Sequence, residues 1–252
     1  MNILNYPLMV LVLSFIGMWL AALVGAWLSK RQNRLSDELR PDFGTVLSAS
    51  LTLLGLIIGF SFSMAIGRYD LRKTYEEAEA NAIGTEYVRA DFLSPAQASQ
   101  VRALLKEYTD LRIQWYQEQN WNNLTPVNQK IAEVQNQLWA ATAQSVTAQQ
   151  TPVQALAAAG MNDVLNSQGY TQAAWWNRIP KGAWCLMFAI GLFCNVLLGY
   201  GAHKMASKLF MVLPLLVAIA FFLIADIDSP RGGVIRVVPQ NLLSLRGGLG
   251  TP

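Results

Sequence analysis

The stretch FGTVLSASLTLLGLIIGFSFSMAI, residues 43–66, decides how this chain is read. It carries no charge, and Gly55, Gly59, Ser63 and Gly67 recur along it and just beyond it at four-residue spacing. No proline interrupts the chain between Pro41 and Pro95, so the pattern predicts a membrane helix that continues into a long helix outside the bilayer. Small residues on one stripe let a second backbone approach closely or line a narrow aqueous path. Either use requires helix partners.

The rest of the composition agrees with lipid contact. Of 252 residues, 53% are hydrophobic and only 14% charged, too apolar for an average soluble chain. Crossing a hydrocarbon core of about 30 Å takes roughly 20 apolar residues. Four segments qualify: 7–28, 43–66, 182–202 and 209–227. The first has no basic residues ahead of it and is followed by Lys30, Arg31 and Arg34 instead of a small-residue cleavage site, which reads as a retained anchor. The expected fold is an all-α integral membrane protein with four transmembrane helices and an extramembrane helical bundle inserted between spans two and three. Its expected parts are 1–67 with spans one and two, 68–179 as the helical region, 180–228 with spans three and four, and 229–252 as a C-terminal tail.

Basic residues crowd two short loops, Lys30, Arg31, Arg34 and Arg40 after span one and Lys204 and Lys208 between spans three and four. Density in short loops places both in the cytoplasm. The helical region is then periplasmic. The net charge of +3 is ordinary for a membrane protein, and no basic tract with interleaved aromatics favours nucleic acid.

Between the spans the pattern is helical. Ser94-Pro95, Thr125-Pro126 and Thr151-Pro152 each place a capping residue before a proline, and Gln97 and Gln154 could complete capping boxes. The expected helices are 68–92, 95–118, 126–149 and 152–167. Val101, Leu104, Tyr108, Leu111 and Trp115 form one apolar stripe, and Val127, Ile131, Val134, Leu138 and Ala141 another. Outward faces are rich in Gln and Asn, which suits a solvated bundle or a docking face for a protein partner. Tyr170 to Ile179, with Trp175 and Trp176 beside Arg178 and Lys181, reads as an interfacial anchor. A short strand is expected near Val234 to Val238.

The inventory for catalysis is poor. The single histidine, His203, sits in a basic turn, Cys185 and Cys194 lie nine residues apart on one span, and no spacing suits zinc or a phosphate-cradling loop. No enzyme, cofactor or metal is expected. Glu76 and Glu77 follow Arg72 and Lys73 at i,i+4, which with Glu79 reads as a solvated helix face. Sharper signals stand at the membrane exits, where Asp226 and Asp228 end span four, opposite Arg68, Asp70 and Arg72 after span two. Two readings stand side by side: an ion pair from Arg68 or Arg72 to Asp226, or a ring of charge at a pore mouth. Phe60 and Phe62 lie about 200 degrees apart around span two, so at most one can form a hydrophobic gate. The residues singled out as pore-lining or close-packing are Gly55, Gly59, Phe60, Phe62, Ser63 and Gly67. Asn195 and Pro214 suggest an interhelical hydrogen bond and a kink.

With these residues placed, LLGLIIGFSFSMAIGRYDLRKTYEEAEANAIGTEY at 53–87 and IADIDSPRGGVIRVVPQNLLSL at 224–245 resemble the bacterial bestrophin-like family of unknown function. The resemblance covers nearly the whole chain. Bestrophins are pentameric anion channels whose second span lines the pore, so the resemblance implies a homo-oligomer with Gly59, Phe60 and Ser63 at its axis. It also implies a cytoplasmic helical body, opposite to the loop charges. Bestrophin necks carry bulky apolar residues where this chain carries small ones, and no acidic cluster here looks like a calcium clasp. The expected function is a homo-oligomeric ion channel of undetermined selectivity. The alternative is a membrane-anchored interaction protein that binds a partner through the helical region.

Overall fold

The computed structural model describes residues 3–31, 36–148, 150–202 and 208–250. Arg34, His203 and Lys204, which carried part of the loop and histidine readings, lie outside the described residues. Eight α-helices follow one another, with no strand among the described residues. They are α1 Pro7–Arg31, α2 Arg40–Arg89, α3 Pro95–Gln117, α4 Leu124–Ala148, α5 Pro152–Trp176, α6 Lys181–Gly201, α7 Val212–Asp228 and α8 Gln240–Gly248.

As the proline-free run required, residues 43–66 and the polar segment after them form a single helix, the 50-residue α2. Among the described residues, three helical segments are long and apolar enough to cross a membrane: Pro7–Arg31, Arg40–Phe92 and Pro152–Gly201. At 17 residues α7 falls just short by the same measure, although a 3-10 turn, Lys208–Met211, precedes it. Pro214 sits in the first turn of α7, where its missing N–H has no helical acceptor to lose, so the expected kink has no cause.

The chain divides into two units, Met1–Arg68 with Arg178–Arg236, and Tyr69–Asn177 with Val237–Pro252. In the first, α1 packs along α6 and α7. A methyl group on Gly25 would collide with the Val196 carbonyl, and one on Gly199 with the Ala22 carbonyl. The two backbones thus approach through missing side chains, as small residues permit between membrane helices. Met18, Ala22, Met187, Cys194, Ala218 and Phe221 fill the seam, with the Phe188 ring edge-on to Phe221 at 4.9 Å. Asn195 is fully buried there, and its amide donates to the Gly191 carbonyl of its own helix at 2.8 Å, in place of the expected interhelical bond.

The second unit is a bundle of α3, α4, α5, α8 and the C-terminal half of α2. Ser94 and Thr151 stand at the N-caps of α3 and α5, and Thr151 Oγ1 accepts from the Gln154 amide at 3.2 Å. The third cap differs. Asn120 caps a 3-10 turn, Trp121–Asn123, so α4 starts at Leu124 and Thr125 lies inside it. Both apolar stripes enter one core with Ile83, Leu105, Met161 and Val164. Nine residues longer than expected, α5 carries Trp175 into that core, 4.6 Å from Trp115 and 5.5 Å from Tyr116. Trp175 is therefore core rather than interfacial anchor, while Trp176 is exposed. Residues Val234 to Val238 form bends and irregular chain instead of a strand.

Candidate functional site

The N-terminal half of α2 is open. Only 17% of its apolar window is buried, against 33% for α1, and the buried positions are few: Leu54, Ser61 and Ala65. A methyl group added at Gly55, Gly59 or Gly67 would meet nothing within 4 Å. Ser63 is exposed, as are Phe60 at 63% and Phe62 at 37%. Every residue singled out on this span therefore lies on a surface that its own chain leaves uncovered. A span that met only lipid would have no need of small residues there, whereas a close-packed neighbour or an aqueous path would.

At the end of α7 the acids are satisfied individually. The Asp226 carboxylate accepts the backbone N–H groups of Val234 and Ile235, both at 2.8 Å. Gly233 makes that turn fit, since a side chain there would collide with the Asp226 carbonyl. Asp228 accepts the Ile179 N–H at 3.0 Å and pairs with Arg178 Nε at 3.1 Å, while Arg178 also reaches Asn5 and the Leu4 carbonyl. Asp226 thus takes two amides of the following loop, at the place where the sequence offers either an ion pair with Arg68 or Arg72 or a ring of charge. Arg68 itself donates to the Met64 carbonyl one turn back, at 3.4 Å. Asp226 and Asp228 are 2% and 1% exposed, so they brace the chain at this point rather than offering free charge.

In the helical unit, α2 and the 3-10 turn that follows it bury a stripe that repeats at four and three: Arg72, Glu76, Glu79, Ile83, Glu86 and, in the turn, Ala90. The solvated face expected for Glu76 and Glu79 is therefore corrected; of that run only Glu77 is exposed. Arg72 donates to the Ala174 and Asn177 carbonyls at the C-terminus of α5, where the helix dipole favours a cation. Glu76 sits at the N-terminus of α8, accepting the Leu242 N–H at 2.9 Å and the Asn241 side-chain amide at 2.6 Å. Asp70 and Lys73 are exposed on the same helix.

Glu79 and Arg112 form an ion pair with no exposed side-chain surface. Tyr116 and Thr171 hydroxyls donate to Glu79 Oε2, each at 3.2 Å, and the Arg112 guanidinium stacks over Trp115 at 4.5 Å. Burial, then the Glu79 charge, pushes the Tyr116 hydroxyl above its ordinary range. Burial disfavours the charge on Arg112, but Glu79 more than offsets it and keeps the guanidinium protonated. Breaking one partner of such a pair costs on the order of 3–5 kcal/mol. Among the described residues no group of three or more His, Cys, Asp or Glu could hold a metal ion.

Sequence reasoning missed Glu86 and Arg112, and gave Glu79 to a solvated face and Arg178 to an interfacial anchor. A signal existed for Glu79, Glu86 and Arg112: Arg112 is four residues from both Tyr108 and Tyr116 on a buried stripe, and the glutamates share a register with Ile83. The sequence profile of the Bestrophin-like domain matches residues 15–242. Solved structures share the fold. A variant of a bacterial bestrophin homologue from Klebsiella pneumoniae superposes with a TM-score of 0.66 at 12% identity, covering 94% of this chain and 97% of that one. Another structure of the Klebsiella pneumoniae homologue gives 0.61 at 13% identity, covering 95% and 98%. A structure described only as a membrane protein gives 0.63 at 12%, covering 98% and 99%. No curated protein sequence matches. Matched over most of its length and similar in fold to a bacterial homologue, the chain belongs to the Bestrophin-like family.

Proposed function

We propose that this protein is a homo-oligomeric ion channel in a bacterial inner membrane, with four spans per subunit and the N-terminal half of α2 turned toward the common axis. The observation that carries it is the open stripe of Gly55, Gly59, Ser63 and Gly67 on a folded chain whose other glycine seam, at Gly25 and Gly199, is closed. A ring of copies would cover the flanks of α2 and leave the small residues around a path narrow enough to act on an ion's hydration shell. The fourth span is α7 with the turn before it, about 30 Å of helical chain. Similarity to bestrophins favours a pentamer. Selectivity is left undetermined, since Asp226 and Asp228 are engaged within the subunit.

The charges of the two short loops favour a periplasmic helical unit. A cysteine placed at exposed Val88 and treated with a membrane-impermeant maleimide on intact cells checks this: labelling supports it, and protection puts the unit in the cytoplasm. Ion flux into liposomes containing the purified protein tests the channel itself. Flux in the wild type that disappears in Gly59→Leu, with the oligomer intact, supports the reading. An oligomer that passes no ion at any applied voltage overturns it.

A further inference from the structure

The C-terminal half of α2 holds one buried acid with no role in the network above. Glu86 has no exposed surface, and neither of its carboxyl oxygens has a hydrogen-bond partner. It lies against α5 at Gly160, where even a methyl group would collide with Glu86 Oε2 and would stand 2.6 Å from Arg89 Nη1. The glycine notch thus makes room for both side chains. We infer that Glu86 is a proton-operated latch between α2 and α5: neutral, it lies in the Gly160 notch beside Arg89, and on losing its proton it turns out of the notch to water and parts the two helices there.

The surrounding charges define the latch. Arg89 on its own helix favours the carboxylate, and Asp163 on α5 opposes it. In the turn after α2, Asp91 is engaged by Arg102 of α3. From α8, which approaches α2 at Gly84 through Leu245, the one charged side chain is Arg246, engaged by Asp110. No other cation in this set is free to neutralise Glu86 in place, so an ionised carboxylate is left buried beside Asp163 unless it moves. Burial, opposed by Arg89 and reinforced by Asp163, raises the Glu86 pKa from 4.5 to about 8, which puts the transition in a mildly alkaline range. Because α2 is continuous with the membrane span, the latch sits on the helix proposed to face the axis, but it does not depend on conduction.

Hydrogen exchange of the full-length protein in lipid nanodiscs, corrected for intrinsic base catalysis, reads this directly. Between pH 7 and 9.5 the peptides covering 152–170 should lose about tenfold in protection, with a midpoint near pH 8, while α4 peptides hold theirs. Glu86→Gln should keep full protection throughout. Asp163→Asn should move the midpoint down and Arg89→Gln should move it up. Wild-type protection that is flat with pH, an unchanged transition in Glu86→Gln, or unmoved midpoints in both charge variants would overturn the latch, whatever the protein conducts.

Discussion

Two glycine seams run through the apolar helices, and they have opposite surroundings. At Gly25 and Gly199 the backbones of α1 and α6 fill the space a side chain would take. At Gly55, Gly59 and Gly67 on α2 that space is empty. Glycine spacing alone reads the same in both places, and only the presence of a neighbour separates them. The closed seam holds α1 against α6, whereas the open one has no neighbour within its own chain. That contrast, more than hydrophobicity, is what supports the proposal that α2 acts between subunits.

The strongest way to break the contrast is to put bulk into both seams. Gly199→Leu drives a side chain into the α1 backbone and should cost more than about 4 kcal/mol, read as loss of a monodisperse peak on solubilisation. Survival of that variant at wild-type stability would remove the closed seam from the account. Next comes the helical unit, whose stability rests on side chains rather than on backbone approach. Arg112→Met strands the Glu79 carboxylate among Tyr116 and Thr171 and should lower unfolding stability by about 3–5 kcal/mol, with Glu79→Gln/Arg112→Met recovering part of the loss.

Glu86 sharpens the same point through pH. Its folded-state pKa, about 8, lies above the ordinary 4.5, so between those values the folded chain binds a proton that the unfolded chain has released. Stability should therefore fall as pH rises from about 4.5 to about 8, by at most about 1.4 kcal/mol per pH unit from this group. Thermal melts of Glu86→Gln should be flatter across that window and higher at its alkaline end. A smaller effect is expected at the α5 cap, where Thr151→Ala should cost about 1 kcal/mol. Least of all should Gly59→Leu disturb the subunit's own fold, with a change within about 0.5 kcal/mol in its melt, since nothing in the chain occupies that space.

Much of the architecture was legible because it follows from local rules. A proline-free stretch of more than fifty residues had to be one helix, and Ser94-Pro95 and Thr151-Pro152 marked helix starts that the backbone adopts. What stayed hidden depended on partners distant in sequence. Glu79 pairs with a residue 33 positions away, so the run Glu76, Glu77, Glu79 looked like a solvated face. Trp175 and Trp176, adjacent and beside basic residues, matched an interfacial belt, yet one is core and the other exposed. Asp226 had the charge to pair with Arg68, but the Gly232-Gly233 loop brings two amides to it first. The open stripe of α2 was readable as small residues at helical spacing, but whether they were covered was not.

Imaging the purified protein as single particles in lipid nanodiscs tests the central claim most directly. A closed ring of identical chains is the expected result, with α2 of each copy around a continuous axial path and Gly55, Gly59 and Ser63 facing it. A monomer, a complex with a different protein, or a ring with the α2 stripe against lipid would contradict the account.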